Sequence, residues 1–196
     1  MAVTVREMRQ GERKDAAAAL ATAFRYDPVN RFIGSRPERD RILWDTLLRF
    51  QHGDAASVDL AVDGRRVVGV GVWDPPGHAP SLMSRLRAGP GFLRALGRDA
   101  RKGAQVEEWM ARHRPQEPFW YLAHLGATEP GKGVGSALLN YRLAQLDREG
   151  GRTAYLENSN ERNLRLYERF GFEVTSRLDG GPEGAPPVWG MVRRPA

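Results

Sequence analysis

The chain has 196 residues, 41% of them apolar and five of them tryptophan, which suits one domain with a sizeable core. Lysine and arginine number 30 against 24 aspartates and glutamates, so the net charge of +6 favours anionic ligands without naming one. There is no cysteine, which excludes disulfides, thiolate catalysis and cysteine metal sites. The four histidines (His52, His78, His113, His124) lack ligand spacing, so no metal site is expected. No apolar run is long enough to span a bilayer, and the first residues lack the apolar core of a secretory signal. A soluble cytoplasmic protein that engages no membrane is expected.

In chain order, Val3 and Val5 alternate with polar neighbours, so residues 3–8 read as a first strand. A helix is predicted over 14–26, with Ala17, Leu20, Ala21 and Phe24 at helical spacing, ended by Asp27-Pro28. Pro37 and Glu38 open a second helix with the apolar stripe Ile42, Leu43, Leu47 and Phe50; Trp44 lies off that stripe and is read as core. Residues 58–62 and 66–73 read as strands joined by a hairpin at Asp63-Gly64. Residues 81–114 form a basic helical segment, interrupted at Gly89-Pro90-Gly91, with apolar pairs Leu82/Leu86 and Phe92/Leu96. Its arginines read as a solvated face, and without aromatic interleaving or a known module no nucleic-acid partner is expected.

Residues 119–127 form a strand that runs into LGATEPGKGVGSALL, residues 125–139. Gly131, Gly133 and Gly135 alternate there around Lys132, and an apolar helix follows over 134–148. Glycines let backbone approach a ligand, and the helix start offers free N–H groups, so phosphate binding is expected. Three motifs compete for the stretch. Gly126 to Lys132 fit a P-loop until Gly133 replaces the magnesium-binding hydroxyl. Gly131 and Gly133 begin a dinucleotide fingerprint that ends on Ser136, with Glu157 available for a ribose. The third motif, [QR]-x-x-G-x-[GA] opening a helix, is met at its last two positions by Gly133 and Gly135. Beyond Gly150-Gly151 come a strand over 152–157 and a helix capped at Asn158, Ser159 and Asn160, with Leu164, Tyr167 and Phe170 on one stripe. The last strands, 172–178 and 188–193, flank a loop rich in glycine and proline, and the alternation predicts one mixed α/β sheet with covering helices.

NERNLRLYERFGF, residues 160–172, resembles the signature N-x-x-[AN]-x-x-L-Y-x-x-x-G-F of the GNAT acetyltransferases, with Asn160, Asn163, Leu166, Tyr167, Gly171 and Phe172 at its spacing. The third loop motif is that family's acyl-CoA loop. With YLENSNERN and the closing PPVWGMVRRP, the chain looks most like the puromycin N-acetyltransferase-like branch. The likeness covers residues 119–194 well; the first half agrees only in the order of its elements.

The resemblance implies a GNAT-like single domain over residues 1–196, with a mixed, mostly antiparallel sheet splayed at two parallel strands and flanked by helices. It implies acetyl-CoA as cosubstrate, no metal, and acetyl transfer to a primary amine of a small molecule. The helical excursion over 81–115 would lie near the acceptor pocket. Leu125 and Ala127, with Gly126 between them, would meet pantetheine, and Lys132, Gly133, Gly135 and Ser136 the pyrophosphate. Asn160 would bond the pantetheine arm, and Asn163 shares its motif. Tyr167 would be the general acid that protonates the departing thiolate; apart from the motif it reads as core, continuing the stripe from Leu164. Glu157 and His124 are the candidate bases, each with an equally good structural reading. The chain departs from the family where Pro130 replaces the usual Gln or Arg in a loop about two residues short. Proline removes a donor and Glu129 adds a like charge, which Lys132 would offset. A noncatalytic acyl-CoA-binding or regulatory module and a nucleotide-binding protein are the alternatives, and the acceptor and oligomeric state stay open.

Overall fold

The computed structural model describes residues 3–195. Among them, seven strands form one sheet in the order β1-β2-β3-β4-β5-β7-β6. They are β1 Thr4–Glu7, β2 Ser57–Asp63, β3 Arg66–Asp74, β4 Trp120–Ala127, β5 Ala154–Asn158, β6 Glu173–Arg177 and β7 Trp189–Arg193. Neighbouring strands run antiparallel except β4 and β5, which are parallel. This is the mixed, mostly antiparallel sheet that the sequence predicts. The helices are α1 Arg13–Ala23, α2 Pro28–Phe32, α3 Asp40–Thr46, α4 Leu82–Leu96, α5 Ala100–Ala111, α6 Val134–Arg148 and α7 Leu164–Glu168.

Side chains alternate across a strand, so each sheet face carries its own core. On one face Val58, Leu60, Val62, Val70 and Val72 pack with Ala16, Ala17 and Leu20 of α1 and with Trp44 of α3. On the other, Leu138, Leu139, Leu143 and Leu146 of α6 meet Ala61, Val68, Trp73 and Leu122. Each large side chain buried in this way contributes about 1.5–3 kcal/mol. Arg142 of α6 joins the layers to the sheet edge, forming a bidentate pair with the fully buried Asp59 at 2.9 and 2.5 Å and a bond of 3.0 Å to Glu7.

Three readings of the first half are corrected. Ile42 is 40% exposed whereas Leu43 and Trp44 are 2% and 1% exposed, so Trp44 is core and Ile42 is not. The α-helix stops at Thr46 and continues as a π-helical turn over Leu47–His52, which breaks the 3.6-residue phase on which the predicted stripe depends. Second, α4 runs unbroken through Pro90, and the chain breaks instead at Gly97, where φ is 60°. Helix continuity here follows from packing: a Cβ on Gly91 would strike the Thr46 side chain, so the small residue lets α4 cross α3 closely. Third, Leu82 and Leu86 are 74% and 63% exposed and form no packed pair. The short helix α2 is an addition; Asp27 caps it by accepting from Asn30 N at 2.9 Å, with Pro28 at its first position.

Candidate active site

The site begins where the two parallel strands part. β4 and β5 pair only at Trp120/Ala154, Tyr121/Tyr155 and Leu122/Leu156, although β4 continues to Ala127. A bulge lies at the same level, where the β3 partners of β4 step from Leu122 to His124 and skip Ala123. One extra residue reverses which backbone groups face which neighbour. Trp120 N donates to Thr153 O, toward β5, at 2.8 Å; after the bulge Thr128 N donates to Val68 O, toward β3, at 2.9 Å. By alternation, Gly126 addresses β3, while Leu125 and Ala127 present N–H and C=O groups to the gap. Unpaired backbone at that depth is a docking edge for an extended amide chain.

At the end of β4 the glycine turn delivers the chain to α6. Gly131 and Gly133 take φ of 81° and 75°, and Gly133 is the left-handed residue at the helix start. Ser136, partly buried, follows in the first turn of α6. Gly135 has no such strain, and a Cβ there would meet only Leu166 and Leu125, at 3.5 and 3.8 Å. Gly126 is a packing residue: a Cβ would lie 2.8 Å from Ala23 Cβ and 2.9 Å from the Phe24 ring. Lys132 Nζ pairs with Glu129 at 2.5 Å, and Glu129 also accepts from Arg66 at 3.1 Å, so two cations flank the one acid of the loop. Lys132 chiefly, and then Arg66, hold the Glu129 carboxyl below the usual range.

Across the gap, Asn160 turns its side chain to Arg162 N at 3.2 Å, and Asn158 Nδ2 donates to Asn160 O at 2.8 Å, which fixes the turn before α7. Asn163 is exposed. Tyr167 is 7% exposed and packs on Phe172, with ring centroids 6.1 Å apart. Burial raises its pKa well above the ordinary phenol value, and the charge of Asp27 adds to the rise. The hydroxyl is thus held protonated, as a proton donor must be. Asp27 accepts from Ser159 Oγ at 2.7 Å, tying the start of α2 to the end of β5.

The two candidate bases are placed very differently. The Glu157 side chain is fully buried and accepts from Arg114 Nε and Nη2 at 3.0 and 3.1 Å and from Tyr121 Oη at 2.5 Å. Burial, then the charge of Glu157, pushes the Tyr121 pKa well up, so the phenol remains the donor. With both oxygens engaged by Arg114 and Tyr121, Glu157 is placed to hold those two side chains. His124, half-buried, meets Trp44 edge-on at 4.8 Å and faces Phe24 at 6.0 Å. Desolvation, then His52 and Arg114, drives its pKa well below the ordinary value, so the ring is neutral at physiological pH.

Arg114, Tyr121, Asp27, Ser159, His52 and Asp74 were not singled out as site residues by sequence. Asp27-Pro28 carries a local signal, that of a helix cap followed by proline, and Ser159 stands in the predicted cap of the next helix. Among the described residues no group of three His, Cys, Asp or Glu side chains is placed to hold a metal ion. No helix among them is long and apolar enough to cross a membrane.

The fold thus joins a splayed parallel pair, a left-handed glycine turn at a helix start and a buried tyrosine beyond the second of those strands. The model of the acetyltransferase (GNAT) family matches residues 24–172, and the chain belongs to that family. Enzymes of this family are acyltransferases that generally use acetyl-CoA. A solved structure from Corynebacterium glutamicum, described as histone acetyltransferase HPA2 and related acetyltransferase, is 28% identical with a TM-score of 0.77, covering 100% of this chain and 98% of that one. The polyamine N-acetyltransferase of Drosophila melanogaster, which forms N-acetylagmatine, is 18% identical with a TM-score of 0.60 over 98% and 100%. The arylalkylamine N-acetyltransferase 2 of Aedes aegypti is 11% identical with a TM-score of 0.66 over 99% of each chain. These last two share the fold.

Proposed function

We propose that this enzyme transfers the acetyl group of acetyl-CoA to a primary amine of a small molecule. The observation that carries the reading is the free edge of β4 at Leu125 and Ala127, running directly into the left-handed glycines at the start of α6. The strand edge offers pantetheine the hydrogen bonds of a missing strand. Lys132, Gly133, Gly135 and Ser136 then receive the pyrophosphate, and Asn160 the amide arm, with Asn163 alongside.

In this mechanism the neutral His124 takes a proton from the acceptor ammonium, and the free amine attacks the thioester carbonyl. The C–S bond breaks, and Tyr167 gives its proton to the departing sulfur. Glu157 holds Arg114 and Tyr121 in place at the wall of the gap. Small amines suit this reading because the Drosophila and Aedes proteins are by name acetyltransferases of polyamines and of arylalkylamines. The sequence likeness to the puromycin N-acetyltransferase-like branch adds aminonucleosides to the set.

Thiol release from acetyl-CoA, measured across polyamines, arylalkylamines, aminonucleosides and amino acids, tests the proposal. Release that depends on a primary amine supports it. Tight acetyl-CoA binding without release to any amine would instead favour the regulatory module.

A further inference from the structure

Three of the four histidines, far apart in the chain, gather behind the site. His52 lies at the end of the π-helical turn, Asp74 ends β3, His78 follows in the next loop, and His124 stands on β4 beside the gap. His52 Nδ1 is 3.0 Å from each oxygen of Asp74, and His52 Nε2 is 3.1 Å from His124 Nε2. His78 Nε2 bonds Gln51 O at 2.9 Å and lies 3.8 Å from Asp74 Oδ1. His52 and Asp74 are 4% and 7% exposed. The contacts run in series from Asp74 to His52 to His124, which is the layout of a proton path.

The partners dictate the protons. A carboxylate only accepts, so His52 carries its hydrogen on Nδ1 and leaves Nε2 as an acceptor. His124 must then donate through Nε2, which leaves its Nδ1 lone pair free for an incoming proton. From this line of groups we propose that His52 and Asp74 are positioning residues that form a proton reservoir behind His124. This rests on the acetyl-transfer reading. As the amine gives its proton to His124 Nδ1, the Nε2 proton of His124 moves to His52 Nε2. The charge then rests on His52 as an imidazolium against the Asp74 carboxylate.

The balance requires such a place. An ammonium acceptor loses two protons on becoming an amide; one returns to the sulfur through Tyr167, and one must leave. His124 is poorly suited to hold it, because desolvation, His52 and Arg114 all oppose charge on that ring. His52 has Asp74 directly behind it, with His78 at the far edge of the carboxylate. When product leaves, the same protons run back: His52 Nε2–H returns to His124 Nε2, and His124 Nδ1–H goes to water. The path resets without ring rotation.

The test compares native enzyme, His52→Gln, Asp74→Asn and Asp74→Glu in kcat/KM against pH, with ring-nitrogen NMR of each. Glutamine at 52 can still accept from His124 but cannot take its proton, so kcat/KM should fall by about 10²-fold while the melting temperature holds. Asp74→Asn removes the charge that favours the imidazolium. Its acid limb should move to lower pH and its plateau should drop; Asp74→Glu should recover part of both. NMR of the native protein should find His52 protonated on Nδ1. Native pH profiles in folded His52→Gln and Asp74→Asn would overturn the reservoir, as would a native His52 protonated on Nε2 alone. The tautomer needs no turnover, so it decides the reservoir even if no amine is acetylated, an outcome that would sink the transfer reading separately.

Discussion

The β4–α6–β5–α7 half of the molecule and the wall formed by α1, α3, the π-helical turn and β3 contribute to one site by different physical means. The first uses backbone: a free strand edge at Leu125 and Ala127, and left-handed glycines at 131 and 133. Such devices depend on neighbours a few residues apart, so they leave motifs. The second uses side chains that meet only after folding; His52 lies 22 positions from Asp74 and 72 from His124. Chemistry of that kind has no spacing to read.

The sharpest way to break this comparison is at Tyr167, the acid that the proposed mechanism takes from the motif-bearing half. Tyr167→Phe keeps the packing on Phe172 and removes only the hydroxyl proposed as the acid. Turnover should fall by about 10²–10⁴-fold with little change in acetyl-CoA affinity or melting temperature. Native turnover in a folded variant would return Tyr167 to the core and leave the motif half without a catalyst.

A second substitution probes what joins the halves. Arg142 of α6 pairs with Asp59 of β2, whose carboxyl burial holds above its ordinary pKa although Arg142 pulls it down. Arg142→Met strands that acid. Removing one partner of a buried pair typically costs about 3–5 kcal/mol, measurable by urea denaturation at neutral pH. The sign follows from linkage: an acid whose folded pKa is raised releases its proton more readily when unfolded, so stability falls as pH rises. The variant should therefore be least stable at high pH and recover toward acid, and Asp59→Asn beside it should flatten that dependence. A variant as stable as the native protein would show that the pair contributes nothing to holding α6 on the sheet.

Gly126 sharpens the comparison from the other side, because the motif reading and the structure explain it differently. A Cβ at Gly126 would press on Ala23 and Phe24 of the α1 end, at 2.8 and 2.9 Å. Overpacking costs about 1–3 kcal/mol, and Gly126→Ala should lower the melting temperature accordingly. At Gly135 a Cβ meets only ordinary contacts, so Gly135→Ala should leave stability unchanged. If Gly126→Ala is stable yet loses acetyl-CoA, its role is at the ligand and not against α1.

How much could be read in advance follows the same division. The hairpin at Asp63-Gly64, the glycine turn and the Asn160–Phe172 motif are legible because each is a local pattern, whereas the parallel pair follows only from the family resemblance and the order of strands in the sheet has no local signal. Burial of Ile42 is expected and does not occur, because α3 turns the face with Leu43, Trp44 and Thr46 to the core and leaves Ile42 outside it. A break at Pro90 was expected and does not occur, because Gly91 fits against Thr46. Glu157 stands out in the sequence as a carboxylate beside the motif, but its commitment to Arg114 and Tyr121 depends on contacts 43 and 36 positions away.

The smallest effect expected is at Glu129, and it tests how the shortened loop handles charge. Sequence suggests that Glu129 simply opposes the pyrophosphate. The structure adds that Glu129 occupies both nearby cations, Lys132 at 2.5 Å and Arg66 at 3.1 Å. Glu129→Gln removes a negative charge and also frees two positive groups for the ligand, so both changes act in one direction. All three side chains are largely exposed, which keeps the gain small: acetyl-CoA affinity should rise by about two- to threefold at low salt. Raising the ionic strength should erase most of that gain by screening. Acetyl-pantetheine, which lacks the pyrophosphate, should bind both forms equally. A gain that persists with the truncated donor would mean that Glu129 acts somewhere other than the pyrophosphate, and the glycine turn would then need a different ligand.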